Sequence, residues 1–183
     1  MTNLALPVCL LMSFSQQHRL PFDHECADEA LAGLAPQAIA DFCTAAEKYT
    51  AATGQRLTVT SARRTLRHCA SLMAAMSIEQ LEGMYCRNGY PDYIQTMKDA
   101  MQRLGRNLTD DETYEILRNR REGYISAHLF GAAIDVASAN LQDADLLEQI
   151  LASCNFSVLN ETSLGVNCIH ASHKNVQRLI IRE

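Results

Sequence analysis

The segment Ser126-Ala-His128-Leu-Phe-Gly131-Ala-Ala133-Ile-Asp135 sets an imidazole and a carboxylate seven residues apart, with only small residues at 131, 132 and 133. Neighbours on one face of a helix lie three or four residues apart, so the spacing does not suit a straight helix. It suits a loop entering a strand, with Gly131 letting the backbone turn or another segment approach closely. Imidazole nitrogen and carboxylate oxygen are both good zinc ligands, at about 2.0 to 2.2 Å. A third ligand must come from elsewhere, and His170 lies on a later stretch that reads as a strand. Two adjacent strands could bring Asp135 and His170 together. A fourth position left to water would make the site catalytic rather than structural. The competing reading of His128 and Asp135 alone is a hydrogen-bonded core histidine beside an unrelated carboxylate.

The elements that must position these residues are legible from caps and periodicity. Pro36 suits a first helical position and Gly54 the position just past a helix end, which predicts a helix over 36–53. Ile39, Phe42, Ala46 and Tyr49 form its apolar stripe. Arg56 to Ser61 reads as a strand. Ser77 with Gln80 makes a capping box ahead of Leu81, Met84 and Tyr85. Pro91 opens the next segment, where Ile94, Met97, Met101 and Leu104 share a face and Gly105 closes it. Thr109 with Glu112 is a second capping box, opening a helix to about Glu122. This helical stretch reads as scaffold or lid, and its Met and Tyr residues as core packing. Asp143 caps a helix through about Ser153. Phe156–Asn160 and Val166–Ser172 read as strands of an antiparallel hairpin whose turn holds Thr162, Ser163 and Gly165. Arg178–Arg182 is expected to add a further strand. The expected class is α+β: a small antiparallel sheet packed against helices, in one domain over 1–183 with a helical insertion at about 66–122.

The bulk numbers exclude more than they assert. The 183 residues suit one domain, and a hydrophobic content of 48% is enough for a sizeable core. The net charge of −5 gives no support to a nucleic-acid or anionic-membrane partner. No stretch reaches the roughly 18 to 20 apolar residues of a membrane span, and a monomer is expected. Leu4 to Phe14 is apolar like the centre of a signal peptide, yet no Lys or Arg precedes it and no small-x-small site follows closely. It reads instead as a buried first strand or an ordered N-terminal segment. Seven cysteines, at 9, 26, 43, 69, 86, 154 and 168, form no CxxC pair, and their odd number argues against a complete disulfide framework. Most are expected to be buried, reduced and inert, consistent with synthesis in a reducing cytoplasm.

The pattern Ser-x-His-x-x-Gly-x-Ala-x-Asp over residues 126–135 resembles the signature of the D-alanyl-D-alanine carboxypeptidase and hedgehog-type zinc peptidases, with every specified position filled. Upstream, Val59-Thr-Ser61-Ala-Arg63-Arg64-Thr65 resembles that family's strand-end Ser-x-x-Arg, through Ser61 and Arg64. Downstream, Cys168-Ile169-His170-Ala171-Ser172 resembles the strand that carries the third ligand. The likeness covers roughly residues 35–65 and 124–172. It implies one zinc ion held by His128, Asp135 and His170, with Arg64 reaching into a cleft to hold a peptide carboxylate or carbonyl and with Ser61 and Ser126 assisting. A guanidinium suits that task because it can make two parallel hydrogen bonds to a carboxylate. Arg63 competes for the role, and strand alternation would put the two arginines on opposite faces.

The departures from the pattern concern the proton-transfer group. Many members of that family place Glu three residues before the last His ligand, where this chain has Asn167, and others place His two residues before it, where this chain has Cys168. Asn cannot act as a base. Glu161, near the end of the preceding strand, is the remaining candidate for the catalytic base, though about three extra residues separate it from His170 by the family pattern. Its competing reading is a solvated turn residue. Cys168 shares a strand face with position 170 and could be an extra ligand. His173 is a candidate for the cleft lining. His18, His24 and His68 have no motif around them. The function so implied is hydrolysis of peptide bonds in peptidoglycan stem peptides, in the periplasm or cell wall; phage lysis or a dedicated secretion machine would solve delivery there, and the sequence shows neither. The alternative is a non-catalytic relative that keeps zinc as a peptide- or wall-binding module.

Overall fold

The computed structural model describes residues 20–86, 89–121 and 123–183. Among them the elements run β1 (Asp23–His24), α1 (Asp28–Ala32), α2 (Pro36–Thr53), β2 (Thr58–Ser61), α3 (Leu66–Ala74), α4 (Ile78–Tyr85), α5 (Asp92–Leu104), α6 (Asp110–Arg118), β3 (Ala133–Ala137), α7 (Ala144–Ser153), β4 (Phe156–Asn160) and β5 (Cys168–His173). Short 3-10 helices occupy Ala127–Phe130 and Glu161–Leu164. The fold is α+β, with a sheet in the order β1-β2-β3-β5-β4. It is mixed only because β1 runs parallel to β2. The strands that carry the candidate ligands are antiparallel. The N-terminal reading of Leu4 to Phe14 falls outside the described residues, as do Cys9, His18 and Glu122.

Local signals explain most boundaries. Pro36 takes the first turn of α2, and Gly54 closes it in the left-handed conformation at φ 75°. Both capping boxes form, Ser77 with Gln80 and Thr109 with Glu112. Asp143 caps α7 by accepting from the Leu146 N–H. Three expectations are corrected. First, α6 ends at Arg118 rather than near 122, with Asn119 as its C-cap and the Arg120 guanidinium donating to the carbonyls of Leu117 at 2.6 Å and Gly123 at 2.6 Å. Second, Arg178–Arg182 forms no strand. Side chain–backbone bonds hold it instead, Arg120 to the Ile181 carbonyl at 2.5 Å and Arg182 to the Arg120 carbonyl at 2.6 Å. Third, Leu104 is 42% exposed, and the buried face of α5 is Tyr93, Ile94 and Met97.

The sheet has two unlike faces. Strand alternation sends Val59, Ile134, Val136, Ile169 and Ala171 into one core, against Phe42 and Tyr49 of α2 and Leu147 and Leu151 of α7. Edge-to-face ring contacts run through it, Phe22 to Phe42 at 5.0 Å and Phe42 to Phe156 at 6.3 Å. The same alternation turns Asp135, Cys168, His170 and Ser172 to the opposite face. A second core lies among α3 to α6, built on Leu66, Met73, Leu81, Ile94, Met97 and Leu117, and Leu129 of the first 3-10 helix is part of it. Among the described residues no helix is long and apolar enough to cross a membrane.

The six described cysteines are all free; Cys69, Cys154 and Cys168 are buried and Cys26, Cys43 and Cys86 half-buried. Burial pushes the Cys69 thiol up to about 11, against the pull of Arg64 and Arg120. Cys69 is therefore expected to resist alkylation near pH 8 in native protein and to react once the chain is unfolded, as peptide mapping of the modified sites would show.

Gly131 is the tightest backbone position near the candidate ligands. It sits at φ 72°, and a Cβ there would come within 2.3 Å of the Gly33 carbonyl oxygen. Its own carbonyl accepts from the Ala35 N–H at 2.9 Å. Gly131→Ala is expected to cost about 2 kcal/mol or more in urea unfolding, from strain and displaced backbone together. An unchanged midpoint would mean that the 33–35 segment yields freely.

Candidate metal centre

Asp135 lies at the middle of β3 and faces His170 of β5 as its direct cross-strand partner. In an antiparallel pair, side chains directly opposite on one face meet, so the register alone brings these two together. His170 Nδ1 is 2.8 Å from Asp135 Oδ1. His128 arrives from the 3-10 helix that precedes β3. The Ser126 hydroxyl starts that helix by accepting from the His128 N–H at 3.3 Å. The end of β2 is tied to the same helix twice. The Arg64 N–H donates to the His128 carbonyl at 3.1 Å, and His128 Nδ1 donates to the Ala62 carbonyl at 2.6 Å.

That last bond decides the chemistry of the cluster. A carbonyl oxygen only accepts, so Nδ1 of His128 carries a proton. In the neutral ring, Nε2 then presents a lone pair, 3.2 Å from Asp135 Oδ1 and 3.2 Å from His170 Nδ1. Burial lowers the His128 pKa and outweighs the neighbouring Asp135, which favours the neutral ring. Burial would by itself raise the Asp135 carboxyl. Its contacts with His128 and His170 and the charge of Arg64 outweigh this and hold it well below the usual carboxylate range. Either a proton on His170 Nδ1 or a bound cation satisfies these inward-facing acceptors. Tetrahedral coordination with bonds near 2.05 Å sets ligand atoms about 3.3 Å apart, close to the separations of 3.2, 3.2 and 2.8 Å seen here. The three residues form a group that could hold a metal ion. His170 Nε2 meets the Ser172 hydroxyl at 2.8 Å, which fixes the ring so that Nδ1 faces the cluster.

Arg64 stands beside this group and is half-buried, and its own partners differ from those expected. Nε donates to Ser61 Oγ at 2.8 Å, and one terminal nitrogen donates to Asp135 Oδ2. Nη1 makes no hydrogen bond to a described residue. Arg64 thus grips Asp135 and Ser61 with one side of its guanidinium, and Nη1 is left toward the cleft that it lines. Arg63 is exposed and packs toward Gly33, away from the cluster. The two arginines separate because the strand has ended at Ser61, not through strand alternation.

The cluster opens into a cleft of about 610 Å³ whose lining includes Arg64, Ser126, His128, Asp135, Glu161 and His170. Glu161 follows β4 as the first residue of the second 3-10 helix, and its carboxylate accepts from the Cys168 thiol at 3.4 Å. Cys168 does share the strand face of His170, but its sulfur is occupied there and lies outside the metal-competent group. Asn167 is exposed. His173 is not in the cleft lining. It sits on the core face, bonded to Asp41 at 2.8 Å and edge-on to Phe156 at 5.1 Å. The helices supply more of the cleft than scaffold, since Met84, Tyr85, Tyr90 and Tyr93 line it together with Tyr124. Sequence reasoning gave the helical tyrosines to the core, and Tyr93 is buried there with Tyr85 packed against it while both also line the cleft; it missed Ser172 and the Ala62 carbonyl as ring-orienting partners. The i, i+2 spacing of His170 and Ser172 on one strand was the available signal for the former.

Compared with known proteins, the chain matches no family model, no curated protein and no solved structure.

Metal-stripped protein is expected to take up one equivalent of a divalent transition-metal ion in calorimetric titration. His128→Ala, Asp135→Ala and His170→Ala should each lower affinity by about 100-fold or more, as loss of one of three protein ligands implies. Wild-type protein that binds no ion under these conditions would remove the metal reading.

Proposed function

We propose that the protein is a zinc metallopeptidase that hydrolyses peptide bonds in the stem peptides of peptidoglycan, acting in the periplasm or cell wall. The observation that carries this reading is the His128–Asp135–His170 cluster at a cleft that also holds a separate carboxylate, Glu161. The motif resemblance over residues 126–135, with Ser61, Arg64 and His170 in matching places, supports it. Two imidazoles and one carboxylate make a donor set that suits zinc, and three protein ligands leave a position for water or substrate. Zinc, when bound, supplies Lewis-acid polarisation of a carbonyl and a water acidified toward neutral pH.

The chain's own groups would then divide the remaining work. Glu161 takes a proton from the attacking water and returns it to the leaving amine. The Cys168 thiol holds the Glu161 carboxylate from one side. Arg64 fixes Asp135 through one terminal nitrogen and offers the other to a substrate carbonyl, while Ser126 lines the same cleft. Arg64 Nε rests on Ser61 and keeps that fork in plane.

Glu161→Gln removes the charge and preserves the shape. The variant is expected to keep its fold and its zinc but to lose about 100-fold or more in turnover of purified peptidoglycan, the scale of a general acid–base group. Unchanged turnover would pass the role to another group. Zinc-loaded wild type that binds stem peptide without cleaving it would instead support the non-catalytic binding module.

A further inference from the structure

Resting on the metallopeptidase reading, we infer that Cys168 is a positioning residue for Glu161: its thiol holds one carboxylate oxygen against the sheet and leaves the other to exchange a proton with the attacking water. The register of the β4–β5 hairpin brings the two together. Leu159 pairs with His170 and Asn160 with Ile169, so the next step of the same ladder sets Glu161 opposite Cys168. Cys168 lies two residues, about 7 Å, along β5 from His170 and on the same face of the sheet. Leu159, Glu161 and His170 all line the cleft.

The hairpin tip is longer than a tight turn needs, and the surplus is taken up beyond Glu161. Asn160 caps the 3-10 turn over Glu161–Leu164, its side chain accepting from the Thr162 N–H at 3.2 Å. Gly165 closes that turn in the left-handed conformation at φ 79°. The Val166 N–H then returns to the Glu161 carbonyl at 3.2 Å. Glu161 is thereby held by its backbone at the end of the ladder, beside β5, instead of riding out on the loop.

A glutamate fixed only at its backbone still samples several rotamers. The side-chain contact removes that freedom. The Cys168 thiol donates to Glu161 Oε2 at 3.4 Å. The donor is itself immobile, because Cys168 is 6% exposed and its strand is paired on both sides. A thiol is a weak donor. Its bond to Oε2 orients the carboxylate, and Oε1 stays available to accept the water's proton and return it to the leaving amine. The thiol keeps its own proton throughout.

The test uses the zinc-loaded full chain and a soluble synthetic stem peptide. Cys168→Ala is expected to keep one zinc per chain and a KM within about two-fold, while kcat falls about ten-fold, the scale of one hydrogen bond to a charged group. Cys168→Ser keeps a donor at that place and is expected to recover most of the loss. In a Glu161→Gln background Cys168→Ala should cost nothing further, because a residue that acts through Glu161 has nothing left to position. The infrared S–H stretch of Cys168, isolated by difference against Cys168→Ser in each background, reads the contact without turnover. It is expected to move to higher frequency in Glu161→Gln, where a charged acceptor becomes a neutral amide. Wild-type kcat in Cys168→Ala, an equal loss in both Glu161 backgrounds, a loss that Ser does not recover, a loss of zinc, or an unmoved S–H band would overturn the inference and leave the peptidase reading in place. Zinc-loaded wild type that cleaves no stem peptide would overturn both.

Discussion

The direct pairing of Asp135 with His170 across β3 and β5 is the constraint on which the rest of the site depends. A one-residue slip of either strand would send its ligand to the core face and bring an apolar neighbour to the cleft. The cost of such a slip falls on the core. Ile134 and Val136 flank Asp135, Ile169 and Ala171 flank His170, and all four are buried against α2 and α7. Fully burying one Val or Ile side chain is worth about 1.5 to 3 kcal/mol. The apolar alternation of the two strands therefore enforces the polar meeting on the opposite face. The packing of one side of the sheet fixes the chemistry of the other.

That meeting is electrostatically demanding. Asp135 is 5% exposed and ionised, and a buried carboxylate without partners is strongly unfavourable. Its two oxygens are approached from different directions, Oδ1 by His170 Nδ1 and Oδ2 by Arg64. The arginine thus has a structural task before any ligand arrives. The Ala62 carbonyl does the complementary job at His128. By claiming the Nδ1 proton it leaves the Nε2 lone pair aimed inward. These two contacts both come from the end of β2, so the Ser-x-x-Arg segment organises the ligands as much as it faces the cleft.

Caps, stripes and the hairpin were legible in the sequence because each is a local signal. Pro36, Gly54, Ser77, Thr109 and Asp143 each act within a turn or two of the chain. The three cluster residues were legible through residue type and motif spacing. What failed to show was what one element does to another. Periodicity says which face of α4 is apolar. It does not say that Tyr85, packed against the helical core, also reaches the cleft together with Met84. Arg120 reaches backwards to the end of α6, and the same side chain holds the last residues. His173 was within reach of sequence reasoning. It stands three positions from His170, an odd interval on a strand, so alternation already places it on the other face with Asp41.

The cleft exists because two cores meet along one loop. Residues 123–131 leave the helical core and enter the sheet core. Ile125 and Leu129 are anchored in the first, and Gly131 is pressed against the 33–35 backbone of the second. His128 lies between those anchors, one residue before Leu129. Its position therefore responds to the packing of both cores, whereas Asp135 and His170 respond to the sheet alone. A change in the helical core would move the tyrosine-lined side of the cleft and His128 together and leave Asp135 and His170 where they are. The shape of the cleft and the geometry of the cluster are in this way coupled through the 3-10 helix, by the rigidity of packed side chains rather than by a direct bond between them.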